Sequence, residues 1–253
     1  MYWLTADTAA KTASVCIAKD DPHFGLLPIA ECTQNGTITH SESLLPMIDR
    51  ALTLSGLTLE DIDVLALPTG PGSFTGVRIG VSAFKGLCFA LGDRVPCIPL
   101  STLRCLAQNL IAYGENTVLC PVMDARRQQF YNALFCIKNG KIVRLVPDRV
   151  ISYADLSAEL RKKYGRRRIV LCGDGAELYY TLAQKDEARP VHLAICHPSD
   201  LYERAFSAAE AASELYRENP DTGGFTGAAL SPTYLRLSQA ERERNEKQTA
   251  NKQ

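Results

Sequence analysis

The chain has 253 residues, 28 Lys and Arg against 28 Asp and Glu, and 46% hydrophobic residues. That suffices for one large domain or two small lobes with a conventional core and excludes bulk disorder; the balanced charge argues against autonomous nucleic-acid binding. No apolar run approaches the roughly 18 residues of a membrane span. Asp7 interrupts the opening too early for a signal peptide, so the expectation is a cytoplasmic protein with no membrane partner. Nine cysteines, without C-x-x-C spacing and mostly in apolar segments, read as reduced core thiols.

In chain order, residues 2–6 and 13–18 are apolar strands around the polar turn Asp7-Thr8-Ala9-Ala10-Lys11, and a third strand covers 26–32. Thr39-His40-Ser41-Glu42 is a capping-box pattern, after which Leu44, Leu45, Ile48, Ala51 and Leu52 keep helical spacing until Gly56. Pro46 in this run must lie early or kink the helix. Residues 64–67 read as a short buried strand, a glycine-rich loop leads into a helix over about 75–91, and another helix starts at Ser101.

Past Gly114 the plan begins again, with a strand over 117–123, the turn Asp124-Ala125-Arg126-Arg127 and a returning strand over 129–137. Asp7 and Asp124 each close an apolar strand before such a turn, which suggests two lobes on one plan; two unrelated hairpins fit the pattern about as well. The basic run Arg161-Lys162-Lys163 and Arg166-Arg167-Arg168 has an RNA-phosphate reading. A solvated helix end is the stronger one, since a helix over 153–165 would place cations at its negative pole. Cys172-Gly173-Asp174-Gly175 follows a strand over 169–171, and a long helix covers 200–217. From Ser238 onward only Ala240 and Ala250 are apolar, which predicts a disordered tail over 238–253.

The most distinctive stretch is Thr69-Gly70-Pro71-Gly72-Ser73-Phe74-Thr75-Gly76-Val77-Arg78-Ile79-Gly80. Small residues before a helix free N–H groups to face an anion, yet Val77 stands where a P-loop needs Lys, and the glycine spacing is not G-x-G-x-x-G. In the helix, Arg78, Ser82 and Lys85 form a polar cationic face, whereas Val77, Val81, Phe84, Cys88 and Leu91 form an apolar one. Gly76 and Gly80, four apart, would let another helix approach closely, so a packing element is supported at least as well as a ligand site.

This stretch closely resembles the signature segment of the TsaB (YeaZ) family. The Asp7-Thr8-Ala9 turn, His40 with Leu45-Pro46-Met47-Ile48, Ser101-Thr102-Leu103, Asp124-Ala125-Arg126 and Pro232-Thr233-Tyr234-Leu235-Arg236 are similar to that family's motifs in the same order. The resemblance implies an α/β fold of the actin-like ATPase, sugar kinase and Hsp70 superfamily, two related lobes each with a mixed sheet. It divides the chain into an N-terminal lobe over 1–113, a second lobe over 114–198, a C-terminal helix and segment over 199–237 returning to the first lobe, and the tail.

It also implies a non-catalytic subunit in tRNA modification. The partner is a TsaD-like transferase that forms N6-threonylcarbamoyladenosine beside the anticodon in tRNAs reading codons that start with A, with a TsaE-like ATPase completing the system. No catalytic residue, metal or cofactor is then expected of this subunit alone; ATP or ADP and metal belong to the assembled complex, tRNA binds through it, and a homodimer is the alternative assembly. The older glycoprotease label finds no H-E-x-x-H and no adjacent nucleophile and base. Where the TsaD family carries two histidine metal ligands in H-x-x-x-H spacing, Thr102 and Leu106 stand here. The implied partner interface comprises His40, Leu44, Leu45, Ile48, Gly72, Phe74, Thr75, Gly76, Arg78, Gly80, Ser82 and Lys85. Asp7, Thr8, Asp124, Gly173 and Gly175 are nucleotide or turn residues, and the alternative function they would serve is an independent ATP-dependent transferase or kinase with an inter-lobe site.

Overall fold

The computed structural model describes residues 1–92, 94–218 and 225–236. Residue 237 and the tail expected over 238–253 lie outside them.

Strands β1 (Tyr2–Asp7), β2 (Ala13–Asp21) and β3 (Gly25–Gln34) form an antiparallel meander; β4 (Val64–Pro68) adds parallel to β1, and β5 (Cys97–Leu100) parallel to β4. The sheet order is β3-β2-β1-β4-β5. The second sheet repeats the plan with β6 (Thr117–Asp124), β7 (Gln129–Lys138) and β8 (Lys141–Ser152) as the meander, and β9 (Arg168–Cys172) and β10 (Leu193–Ile195) as the parallel additions. A shared strand order and the same mixture of parallel and antiparallel pairs make this a duplication, which the paired Asp7 and Asp124 turns foreshadow.

Period-two alternation puts the two faces of the first sheet in different cores. Leu4, Ala6, Val15 and Ile17 pack under α1 (His40–Ser55) and α2 (Phe74–Ala90), whereas Trp3, Cys16 and Ala18 meet α6 (Ala205–Glu218). Helix α6 lies close because its contact face is Ala205, Ala208, Ala209 and Ala212, and Trp3 meets Tyr216 edge-on at 5.6 Å. The expected helix start at 200 is corrected: 198–200 is a short 3-10 turn capped by His197, and α6 begins five residues later at Ala205. Helix α3 (Thr102–Gln108) packs Leu103, Leu106 and Ala107 into the second lobe's core, so the lobe division at 113 falls after an element that belongs largely to the second lobe. Helices α4 (Tyr153–Tyr164) and α5 (Ala176–Gln184) complete that lobe. Eight of the nine cysteines are buried and Cys32 is half-buried, and none is joined in a disulfide. Among the described residues no helix is long and apolar enough to cross a membrane.

The sequence signals act locally as expected. Thr39 and Glu42 close a reciprocal capping box on α1, and Gly56 ends that helix in the left-handed region at φ 69°, with Pro46 accommodated inside it. Asn139 and Gly140, with φ 50° and 70°, make the tight β7–β8 turn.

Candidate functional site: the interdigitated turns, the cleft and the face of α2

The glycine segment after β4 wraps the β1–β2 turn. Gly72, Gly76 and Gly80 all pack on that turn: a Cβ at Gly76 would fall inside contact of the Thr8 carbonyl, and one at Gly80 would lie 2.6 Å from Thr8 Oγ1 and 3.3 Å from Leu67. Thr8 Oγ1 donates to the Gly76 carbonyl at 2.8 Å, the Ser73 amide to the Ala9 carbonyl at 2.6 Å, and His40 Nε2 to the Ala10 carbonyl at 2.7 Å. The Ser73 hydroxyl caps α2 by accepting from the Gly76 amide at 3.2 Å. The reading of Gly76 and Gly80 as an approach surface for another helix is therefore corrected: they are buried and leave room for Thr8 of the same chain. A phosphate cradle is excluded locally for the same reason, because the Ser73, Gly76 and Val77 amides donate to Ala9 and Ser73.

The second lobe repeats the device. Gly173 packs on the Val122 carbonyl and Leu106, and Gly175 on Met123 and the Asp124 amide. Asp7 Oδ1 accepts from the Ala9 amide at 2.8 Å, and Asp124 Oδ1 from the Arg126 amide at 2.7 Å, so each aspartate folds its own turn. A cleft of about 540 Å³ lies between the two turns, walled by Ala9 to Lys11, Pro71 to Phe74 and Met123 to Arg126. Of the five expected nucleotide residues only Asp124 reaches its wall; Asp7, Thr8, Gly173 and Gly175 are enclosed beneath it.

Burial, offset in part by the Ala9 amide, raises the Asp7 carboxyl to about 7, and Asp7 Oδ2 has no partner. Glu203, in the connector before α6, is buried with neither carboxylate oxygen bonded; burial and then the charges of Asp7 and Asp174 push its pKa well up. Asp174, which accepts from the Asp124 amide at 3.1 Å, is raised by burial and by the charge of Asp124. The two-lobe junction is thus an acidic interior that sequence spacing does not reveal, since Asp7 and Glu203 are separated by most of the chain.

Thr102 and Leu106 are both buried, the first donating its amide to the Gly70 carbonyl at 3.0 Å and the second packed in the second lobe's core. Among the described residues no three His, Cys, Asp or Glu side chains are grouped to hold a metal ion. The basic run is largely committed to the fold. Arg161 donates to the Ala188 carbonyl, Arg167 to those of Glu115, Asn116 and Thr117, Lys163 pairs with Glu159, and Arg168 lies over Tyr113.

The expected interface residues separate into two sets. Leu44 and Ile48, only 1% and 4% exposed, belong to the first lobe's core with Gly76 and Gly80; they support the helix face rather than present it. Leu45 is 55% exposed on α1, and on α2 Arg78, Ser82 and Lys85 stand outward in one row with Thr75 beside them. Phe89, 82% exposed, continues the row four residues beyond Lys85. Sequence reasoning missed it, although the i, i+4, i+7, i+11 spacing from Arg78 was the signal. Phe74 is half-buried at the start of the same helix, and His40 is turned inward onto Ala10.

These features define a two-lobed α/β protein with a duplicated mixed sheet, whose inter-lobe turns are locked by their own glycine segments. The sequence model of the TsaD family, described as tRNA N6-adenosine threonylcarbamoyltransferase, matches residues 33–243. The tRNA threonylcarbamoyladenosine biosynthesis protein TsaB of Bacillus subtilis (strain 168) is 30% identical over 243 residues, 95% of this chain and 96% of that one. TsaB of Escherichia coli (strain K12) is 40% identical over 134 residues, about half of each chain. A solved Pseudomonas aeruginosa protein described as similar to the peptidase YeaZ shares the fold, with TM-score 0.72 and 24% identity over 93% of this chain and 99% of that one. The chain belongs to the TsaB (YeaZ) family.

Proposed function

We propose that this chain is a non-catalytic partner subunit of a TsaD-type transferase that makes N6-threonylcarbamoyladenosine in tRNA. Its membership in a family of threonylcarbamoyladenosine biosynthesis proteins gives the process. The observation that carries the subunit role is the outward row of α2, Arg78, Ser82, Lys85 and Phe89, together with the exposed Leu45 on α1. An aromatic ring left 82% in water on the helix face that carries two cations, with an exposed leucine on the neighbouring helix α1, is the composition of an interface waiting for its partner. A docked helix pair on this face would bury a standard area of about 1,600 Å².

The absence of chemistry in this subunit is supported by its own residues. The buried thiols of Cys16, Cys105, Cys120 and Cys172 are all pushed up by burial, away from nucleophilic thiolate, and the cleft aspartate Asp124 is spent on its own turn. Nucleotide and metal chemistry then belong to the TsaD-like partner and a TsaE-like ATPase, and tRNA is met by the assembly. The test is size-exclusion chromatography of this chain mixed with its cognate TsaD-like protein. A one-to-one heterodimer is expected for the wild type and none for Phe89→Asp, a substitution at an exposed site that leaves the fold intact; co-elution of that variant as a full complex overturns the docking face.

A further inference from the structure

The segment Pro232–Arg236 crosses the mouth of the inter-lobe cleft and touches both lobes. On the first lobe, the Thr233 amide donates to the Thr69 carbonyl at 2.7 Å, and the Tyr234 ring stacks on Phe74 with centroids 4.7 Å apart and planes 26° from parallel. Arg78 completes this stack. Its guanidinium carbon lies 3.8 Å from the centre of the Phe74 ring, and its Nε donates to the Tyr234 hydroxyl at 2.7 Å. On the second lobe, Arg236 donates to the carbonyl of Ala125 in the β6–β7 turn.

That turn is unusual in its own right. The residues after Ala125, namely Arg126, Arg127 and Gln128, all hold left-handed φ values of 66°, 56° and 56°, a run that L side chains disfavour and that needs external support. Among the described residues the chain passes between the lobes twice, from β5 into α3 and from β10 into α6. Besides bonds such as Thr102 to Gly70 and Arg104 to Glu214 near those crossings, the 232–236 segment adds a noncovalent link on the side where the cleft opens.

We propose that Pro232–Arg236 is a clasp that fastens the lobes across the cleft mouth, and that Arg78 carries the state of the α2 face to it. The clasp stands on the bonds above alone; its control by a partner rests on the docking role of α2. Arg78 belongs both to the outward row of α2 and to the Phe74–Tyr234 stack, and Tyr234 remains 43% exposed. A partner that takes Arg78 for its own carboxylate or carbonyl removes one of the groups that hold Tyr234, and with it the anchor from which Arg236 reaches the second lobe. A molecule docked on the first lobe thereby changes the opening of the cleft without touching the second.

Hydrogen exchange of the full chain, followed by mass spectrometry, tests this. Loss of the Arg236 bond in Arg236→Ala should speed exchange about threefold to tenfold in the cleft turns over 9–11 and 123–126 without lowering the melting temperature appreciably. Unchanged exchange in both turns overturns the clasp. Arg78→Ala touches nothing in the second lobe, yet should speed exchange at 123–126 severalfold; an effect confined to α2 and the strap itself overturns the coupling. Adding the TsaD-like partner to the wild type should reproduce the Arg78→Ala pattern at 123–126. A complex that forms with exchange there unaltered overturns partner control, whereas failure to form any complex refutes the docking reading and leaves the clasp resting on the two variants.

Discussion

Gly76→Ala and Gly86→Ala add the same methyl group to the same helix and should move stability in opposite directions. Within a helix the exchange of glycine for alanine by itself stabilises by about 0.5–1 kcal/mol, because glycine loses the most backbone freedom on folding. Gly86 is exposed on α2 with nothing within 4 Å of a Cβ, so this gain should appear undiminished. At Gly76 the methyl would enter the Thr8 carbonyl and lie 3.2 Å from His40 Cδ2 and 3.3 Å from Ser73 Cβ. The first obstacle is backbone in a turn pinned from two sides, so relief requires moving the turn and weakening the 2.8 Å bond from Thr8 Oγ1 to the Gly76 carbonyl. Overpacking of about 3 kcal/mol and roughly 1 kcal/mol for the bond, less the propensity gain, leave a net loss of about 3–3.5 kcal/mol. Urea unfolding followed by fluorescence reports the first lobe directly, since Trp3 is the single tryptophan and is fully buried there. A Gly76→Ala protein as stable as the wild type would refute the claim that the glycine segment exists to admit the β1–β2 turn.

Other outcomes follow from the same geometry. The Asp7 carboxyl is raised to about 7 from 3.8, so the folded state holds a proton that the unfolded chain releases; its stability is full below pH 4 and lost as the pH rises through about 7. The loss is at most roughly 4 kcal/mol at 1.36 kcal/mol per unit. Asp7→Asn, which keeps an oxygen for the Ala9 amide, should lessen the fall in melting temperature between pH 4 and 8, to which the buried Glu203 and Glu210 also contribute, and raise it at pH 8; parallel curves for the two proteins would contradict the assignment. Leu45→Asp and Phe89→Asp, both at exposed positions, should weaken the complex with the TsaD-like partner at least tenfold in a titration while leaving the melting temperature of the chain alone within about a degree. Calorimetry with ATP and magnesium should give no heat of binding to the isolated chain, because the amides after β4 already have partners; saturable micromolar binding would reopen the cleft as a nucleotide site.

What was legible in the sequence was local or repeated. The capping box at Thr39, the stop at Gly56 and the two-faced pattern of α2 each depend on residues within a few positions of one another, and all three stand in the structure. The duplication was visible through Asp7 and Asp124 because each must fold its own turn. Strand β8 escaped notice because among the described residues it is an edge strand, pairing with β7 alone, and its half-exposed residues interleave Arg144, Asp148 and Arg149 with the apolar ones. Strand β5 has four residues and ends beside Pro99, too short for any periodicity. The meaning of the glycines was misread for a different reason. Spacing showed that something approaches closely at Gly76 and Gly80, but the neighbour, Thr8, lies 68 residues before Gly76, and no helical pattern names a partner at that distance. The unpartnered Glu203 and the cross-cleft strap are hidden likewise, since both exist only once the two lobes have met.

The most direct measurement is reconstitution with each component left out in turn. This chain, a cognate TsaD-like protein and a TsaE-like ATPase are purified and incubated with tRNA, ATP and the threonylcarbamoyl donor system, and modified adenosine is counted by mass spectrometry. Modification that requires this chain together with the TsaD-like protein, and falls away with Phe89→Asp in proportion to lost complex, is the predicted result. Modification by this chain in the absence of the TsaD-like protein, or full modification without this chain, would contradict its role as an obligatory non-catalytic partner.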